Sequence, residues 1–117
     1  MRNFRELLIW QKGMALVKVV YCLVDEFPPT ERYGMSSQVS RAVVSIPSNI
    51  AEGASRSSQK EFTRYLEIAI GTAYELETQL SIVQDLGWIS ESTIQNAIEK
   101  VVEIEKMINA FIKNMKS

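Results

Sequence analysis

Few side chains in this chain of 117 residues could carry out catalysis. It contains no histidine, so it lacks the most common general base and the most common metal ligand of proteins. Nucleophilic sites of the Ser-His-Asp and Cys-His types, zinc sites of the Cys/His type and di-iron sites with a Glu-x-x-His motif are therefore excluded. The single cysteine, Cys22, excludes an internal disulfide. It lies in an apolar segment and is predicted to be a buried, unreactive thiol.

Carboxylates are the remaining candidates for chemistry, because magnesium prefers oxygen ligands. Two acidic residues share one face of a helix when they are three or four positions apart. Among the 14 acidic residues no two are three apart, and only Glu99 and Glu103 are four apart. Such an isolated pair is typical of a solvated helix surface. We therefore interpret the protein as a non-enzyme without a cofactor, a metal site or a small-molecule substrate. The alternative is a helical hydrolase or ribonuclease that uses carboxylates and a metal.

The basic residues are unevenly distributed, although the formal net charge is only −1. In the segment 32–64 five basic residues stand against two acidic ones. Arg56, Lys60 and Arg64 are spaced four apart at the start of a predicted helix, whose N-terminus also favours anions. We predict that these three residues, together with Arg41, contact phosphates of RNA or DNA. Ordinary ion pairing with neighbouring glutamates on a solvated surface is the alternative.

Four predicted helices with short connections must position these residues. Apolar side chains recur at alternating spacings of three and four, which is the pattern of a helix with one buried face. The pattern and its capping residues predict helices from about Phe4 to Phe27, from Ser36 or Ser37 toward Gly53, from the Ser58 N-cap to the Gly87 C-cap, and from near Ser90 to Met115. Such heptads predict one all-α domain over residues 1–117, an antiparallel up-down four-helix bundle.

The first predicted helix is apolar on most sides, since only Lys18 is charged between Met14 and Val24. One neighbour in a small bundle covers only part of such a helix, so we predict that the protein is a homo-oligomer. No run of about 18 uncharged apolar residues occurs, and the N-terminus does not resemble a signal peptide. We therefore expect a cytoplasmic protein without membrane association.

A proline interrupts the second predicted helix within the segment SIPSNIAEG, residues 45–53. Pro47 has no N–H to donate to the carbonyl of Val43, and its ring crowds that carbonyl, so we predict a kink at this position. Ser45, Ser48 and Asn49 offer short polar side chains to the loosened backbone or to a neighbouring helix. A solvated polar face with a tolerated proline is the alternative.

Several segments, in this order along nearly the whole chain, carry a family resemblance. They are IWQK at 9–12, RAVVSIPSNIAEG at 41–53, KEF at 60–62, ELETQL at 75–80 and DLGWI at 85–89. Together they resemble the four-helix-bundle proteins that are encoded in intervening sequences of 23S ribosomal RNA genes. The signature residues, to which we assign a structural role, are Ser45, Pro47, Asn49, Glu52 and Gly53.

The resemblance also implies properties that residue spacing does not reveal. Members of this family look like small antiparallel bundles that assemble into ring-shaped homopentamers. A related branch consists of accessory proteins of diversity-generating retroelements, which bind nucleic acid and a reverse transcriptase. The resemblance therefore implies a homopentamer whose partner is RNA, DNA or a nucleic-acid-associated protein. Most members of the family have no established activity, so the resemblance does not point to an enzymatic reaction.

Overall fold

The computed structural model describes residues 2–116. Within these residues the chain forms four α-helices and two short 3-10 turns, at Phe4–Glu6 and Pro29–Glu31, and no strand. The helices are α1 (Leu8–Val24), α2 (Met35–Ala54), α3 (Gln59–Leu86) and α4 (Glu91–Lys116). The predicted all-α fold with four helices is confirmed.

The helices follow one another around the bundle. Helix α1 packs against α2 and α4, and α3 packs against the same two helices from the other side. The bundle is elongated, with principal extents of 43 × 23 × 20 Å. Short connections between consecutive helices make the arrangement antiparallel, so that every second connection lies at the same end.

The ends of α3 match the predicted caps. The hydroxyl of Ser58 accepts a hydrogen bond from the backbone N–H of Glu61 at 3.1 Å. Gly87 ends the helix with a φ of 71°, a left-handed conformation that glycine adopts without a steric penalty. Helix α1 is shorter than predicted, because Leu7 has an extended backbone and separates the first 3-10 turn from the helix.

Helix α1 has apolar side chains on its core side and on its outer side. Leu16, Val20 and Leu23 are buried, whereas Met14 is 43% exposed and Tyr21 is 47% exposed. Cys22 is exposed, so the prediction of a buried thiol is wrong. The reason is its position two residues after Val20, which turns its side chain by about 200° away from the core.

Helix α2 runs through Pro47 as one α-helix, and the kink itself stays a prediction. Pro47 is buried, and its ring lies against α1 at Gly13, where an added Cβ would be 3.3 Å from the Cβ of Pro47. Polar side chains bond to the backbone nearby: Ser48 Oγ donates to the carbonyl of Val44 at 2.8 Å. The proline is therefore part of the α1–α2 contact and does not lie on a solvated face.

Candidate nucleic-acid interface

The antiparallel topology gathers basic side chains at one end of the bundle. The backbone N–H of Arg2 donates to the carbonyl of Ala54 at 3.2 Å, and the side-chain amide of Gln59 donates to the carbonyl of Met115. The N-terminal residues, the α2–α3 connection and the last turn of α4 are thus neighbours. This end, called the basic end below, has seven basic and four acidic residues: Arg2, Arg5, Arg56, Lys60, Arg64, Lys113 and Lys116 against Glu6, Glu52, Glu61 and Glu67.

The opposite end has the opposite charge. It contains the α1–α2 and α3–α4 connections, which meet where the rings of Phe27 and Trp88 pack with centroids 5.4 Å apart. Five acidic residues stand here against one basic residue: Asp25, Glu26, Glu31, Asp85 and Glu91 against Arg32. The rest of the bundle has five residues of each sign. The net charge of −1 therefore conceals a separation of charge along the long axis.

Lys60 and Arg64 line an open cleft of about 960 Å³ between the start of α3 and the end of α4. Lys116 adds a third basic side chain to this cleft, and Glu67 is one of its acidic residues. Among residues 2–116, neither Lys60 nor Arg64 forms an ion pair within 4.0 Å. The described side chains therefore do not adopt the alternative arrangement, in which Lys60 and Arg64 pair with nearby glutamates. Both cations are available to a ligand.

Arg56 is held more firmly than Lys60 and Arg64. Its guanidinium donates to Glu52 at 2.9 Å and to the hydroxyl of Tyr65 at 2.9 Å, and it lies 5.0 Å from the centroid of the Tyr65 ring. Tyr65 first, and then Glu52, raise the pKa of Arg56 above its ordinary value. Part of its charge is already compensated, so Arg56 is suited to fix the shape of the site as well as to contact an anion.

Arg2 is a member of the basic end that the sequence analysis missed. It lines a cleft of about 250 Å³ together with Arg56, and its guanidinium lies 5.3 Å from the ring centroid of Phe62 and 5.7 Å from that of Phe111. Lys116 was missed as well. Both residues are far from Arg56 in the sequence, so residue spacing does not connect them with it. The signal that could have found them is the up-down topology, which predicts that both termini meet the α2–α3 connection.

Arg41 does not join the basic end. It lines a separate groove of about 260 Å³ between α2 and α3, next to Thr72 and Gln79. Those two residues are eight or more positions beyond Arg64 on α3, which corresponds to a rise of about 12 Å or more. The structure thus brings together three of the four predicted phosphate contacts and leaves Arg41 apart.

The signature residues make contacts inside the bundle. The side-chain amide of Asn49 donates to the carbonyl and to the hydroxyl of Ser45, at 2.8 and 2.9 Å. Glu52 accepts from Arg56, as described above. Gly53 is buried against α3, where an added Cβ would lie 2.6 Å from the Cβ of Tyr65. These positions therefore shape α2 and its contacts with neighbouring helices.

The described part of the chain contains no group of three or more Asp, Glu or Cys side chains that could hold a metal ion. Glu99 and Glu103, the one acidic pair with helical spacing, line an outer groove of α4 together with Lys106. None of the helices described is both long enough and apolar enough to cross a membrane.

These features define a class of protein: a small all-α bundle with charged ends, in which nothing indicates catalysis. The profile of the 23S rRNA-intervening sequence protein family matches residues 5–110, and the chain belongs to this family. Its fold is similar to the crystal structure of a protein of unknown function from the S23 ribosomal protein family of Bacteroides thetaiotaomicron VPI-5482. The TM-score is 0.84 at 24% identity, over 91% of this chain and 99% of the other. No curated protein matches the sequence.

Proposed function

We propose that this protein is a non-enzymatic, homo-oligomeric scaffold that binds RNA or DNA through its basic end. The observation that carries the proposal is the convergence of basic side chains from three separate chain segments on adjoining clefts. Lys60 and Arg64 are unpaired among the described residues, which leaves their charge for a polyanion. The proposed location is the cytoplasm, where the exposed thiol of Cys22 would stay reduced.

The proposed mode of binding is contact with phosphates. Lysine and arginine side chains neutralise phosphate charge, and the N-terminus of α3 adds backbone N–H groups and a partial positive charge at the same end. Contacts with phosphates carry no sequence information directly. The affinity should therefore be independent of sequence, modest for one chain and steeply reduced by salt.

Self-association would strengthen such binding. Met14 and Tyr21 on α1, and Val44 on the adjacent helix α2, are large apolar side chains that the single chain leaves exposed. A second copy that covered them would remove this apolar surface from water. A homopentamer, as the family resemblance implies, would present five basic ends to one polyanion and raise the effective concentration of each contact.

Fluorescence anisotropy tests the nucleic-acid proposal directly. The full chain is titrated against single-stranded RNA, structured RNA and duplex DNA at about 50 mM and about 150 mM salt. The variant K60E/R64E/K116E removes three cations of the large cleft and keeps Arg56 in its contact with Glu52. We expect it to lose at least tenfold in affinity at the lower salt.

The matched control is R32E/K100E/K106E, which changes the net charge equally but away from the basic end and from the exposed apolar face of α1. We expect this variant to bind within about threefold of the wild type, because its substitutions lie away from the basic end. Light scattering on all three proteins should give the same oligomer size. Failure of the wild type to bind any of the three ligands at low salt would contradict the proposal and point to a protein partner. An equal loss in the control would show a nonspecific charge effect.

A further inference from the structure

Two carboxyl groups face each other across the contact between α3 and α4. The side-chain amide of Asn109 donates to the hydroxyl of Tyr74 at 3.5 Å, and the side-chain amide of Gln84 donates to Gln95 at 3.0 Å. These two pairs show the antiparallel register of the helices. In that register Glu77 on α3 lies opposite Glu105 on α4.

We infer that Glu77 and Glu105 share one proton, and that this proton keeps the contact between α3 and α4 closed. The inference goes beyond the proposed function, because the pair lies in the middle of the bundle and away from the basic end. It would make the rigidity of the scaffold depend on pH in the neutral range.

The burial of Glu105 is the first argument. Glu105 is 6% exposed, and its Oε2 atom is buried without a hydrogen-bond partner among the described residues. Glu77 is half-buried. An ionised carboxylate with an unpartnered buried oxygen is costly, whereas a protonated carboxyl can donate its O–H to the opposite carboxylate. Burial, followed by the nearby Glu77, raises the pKa of Glu105 to about 7.

The second argument is the lack of a compensating cation on the surrounding elements. From α3 the facing groups are Glu77 and the Tyr74 hydroxyl, and neither is basic. Helix α1 packs on the other flank of α4, where Lys12 pairs with Glu103 at 3.7 Å. Helix α2 lies diagonally across the bundle from α4, with no Cα–Cα distance of 8 Å or less between the described residues of the two helices. On α4 itself, Lys106 lies along the outer groove, so the proton is the available source of neutralisation.

The sign of the pH dependence follows from the raised pKa. In the unfolded chain Glu105 would lose its proton near its ordinary pKa of 4.5, whereas in the folded protein it keeps the proton up to about pH 7. The folded state therefore binds more protons between these two values. The free energy of unfolding decreases as pH rises through this window and levels off above it.

Thermal unfolding of the full chain between pH 5 and pH 8.5, at fixed protein concentration, tests the inference. We expect the wild-type melting temperature to fall by about 4–8 °C toward the alkaline end. E105Q replaces the carboxyl by a neutral amide that can donate to Glu77, so it should remove most of this fall. E99Q, an exposed position on the same helix, is the matched control and should retain the wild-type profile.

A spectroscopic readout separates proton sharing from a merely structural role. The infrared difference spectrum between pH 6 and pH 8 should contain a protonated carboxyl band in the wild type and in E99Q, and this band should be absent from E105Q. E77Q serves if E105Q does not fold: burial still keeps Glu105 protonated at pH 6, but without the charge of Glu77 the band should disappear at a lower pH than in the wild type. A wild-type spectrum without the band, or equal pH profiles in the wild type and the glutamine variants, would overturn the inference.

Discussion

The signature segment of α2 and the basic end differ in how they use their polar and charged side chains. In the signature segment the polar side chains have partners on α2 itself: Asn49 bonds to Ser45, and Ser48 bonds to the carbonyl of Val44. At the basic end, Lys60 and Arg64 have no ion-pair partner among residues 2–116. The difference teaches that the most recognisable motif of this sequence builds the architecture, whereas the less distinctive basic residues are the ones free to bind.

The largest effect on stability should come from Gly53. An alanine there would place its Cβ 2.6 Å from the Cβ of Tyr65 and 3.0 Å from Cδ1 of Phe62, so α2 and α3 would have to move apart. We expect Gly53→Ala to lower the free energy of unfolding by about 1–3 kcal/mol, measured by urea denaturation. The control is Gly71→Ala, where an added Cβ has no described neighbour within 4 Å. That change should stabilise the helix by about 0.5–1 kcal/mol. Equal effects of the two substitutions would contradict the account of Gly53.

A smaller effect should connect Gly13 and Pro47. A Cβ at Gly13 would lie 3.3 Å from the Cβ of Pro47, which is close enough to require a small shift. We expect Gly13→Ala to cost about 1 kcal/mol in the wild type and to cost less in a Pro47→Gly background, which has no Cβ to oppose the new side chain. Circular dichroism should show the same helix content in all variants. Additive free energies in this double-mutant cycle would mean that the two residues do not interact.

The smallest effect on stability should be at Glu52. Its ion pair with Arg56 is half exposed to solvent, so Glu52→Gln should change the free energy of unfolding by less than about 1 kcal/mol. Glu52→Gln should raise the affinity for RNA, because Arg56 would be released for phosphate contact. The charge reversal K60E/R64E/K116E should lower it. Weaker RNA binding by Glu52→Gln would show that Arg56 must be held in place to contribute.

Local signals explain what could be predicted from the sequence. The Ser58 cap and the Gly87 stop depend on residues within one turn, and both are where the sequence places them. Cys22 was wrongly predicted to be buried, because a helix that is apolar on most sides does not reveal which side faces the core. The family signature identified a bundle, but its polar positions could not be assigned partners without the neighbouring helices.

Contacts between distant segments explain what residue spacing could not predict. Arg2 and Lys116 reach the basic end only through the antiparallel topology, and no spacing in the sequence connects them with Arg56. The same holds for Glu77 and Glu105, which are opposite each other because of the register between α3 and α4. A search for acidic residues three or four apart on one helix could not find this pair.

The most direct test of the central claim is the salt dependence of RNA affinity. We expect the logarithm of the association constant of the wild type to fall linearly with the logarithm of salt concentration between about 50 and 200 mM. Neutralising Lys60 and Arg64 in K60Q/R64Q should reduce the slope for single-stranded RNA by about 1.4, since each phosphate contact contributes about 0.7. A wild-type affinity that does not change with salt, or an unchanged slope in K60Q/R64Q, would contradict the claim that the basic end binds phosphates.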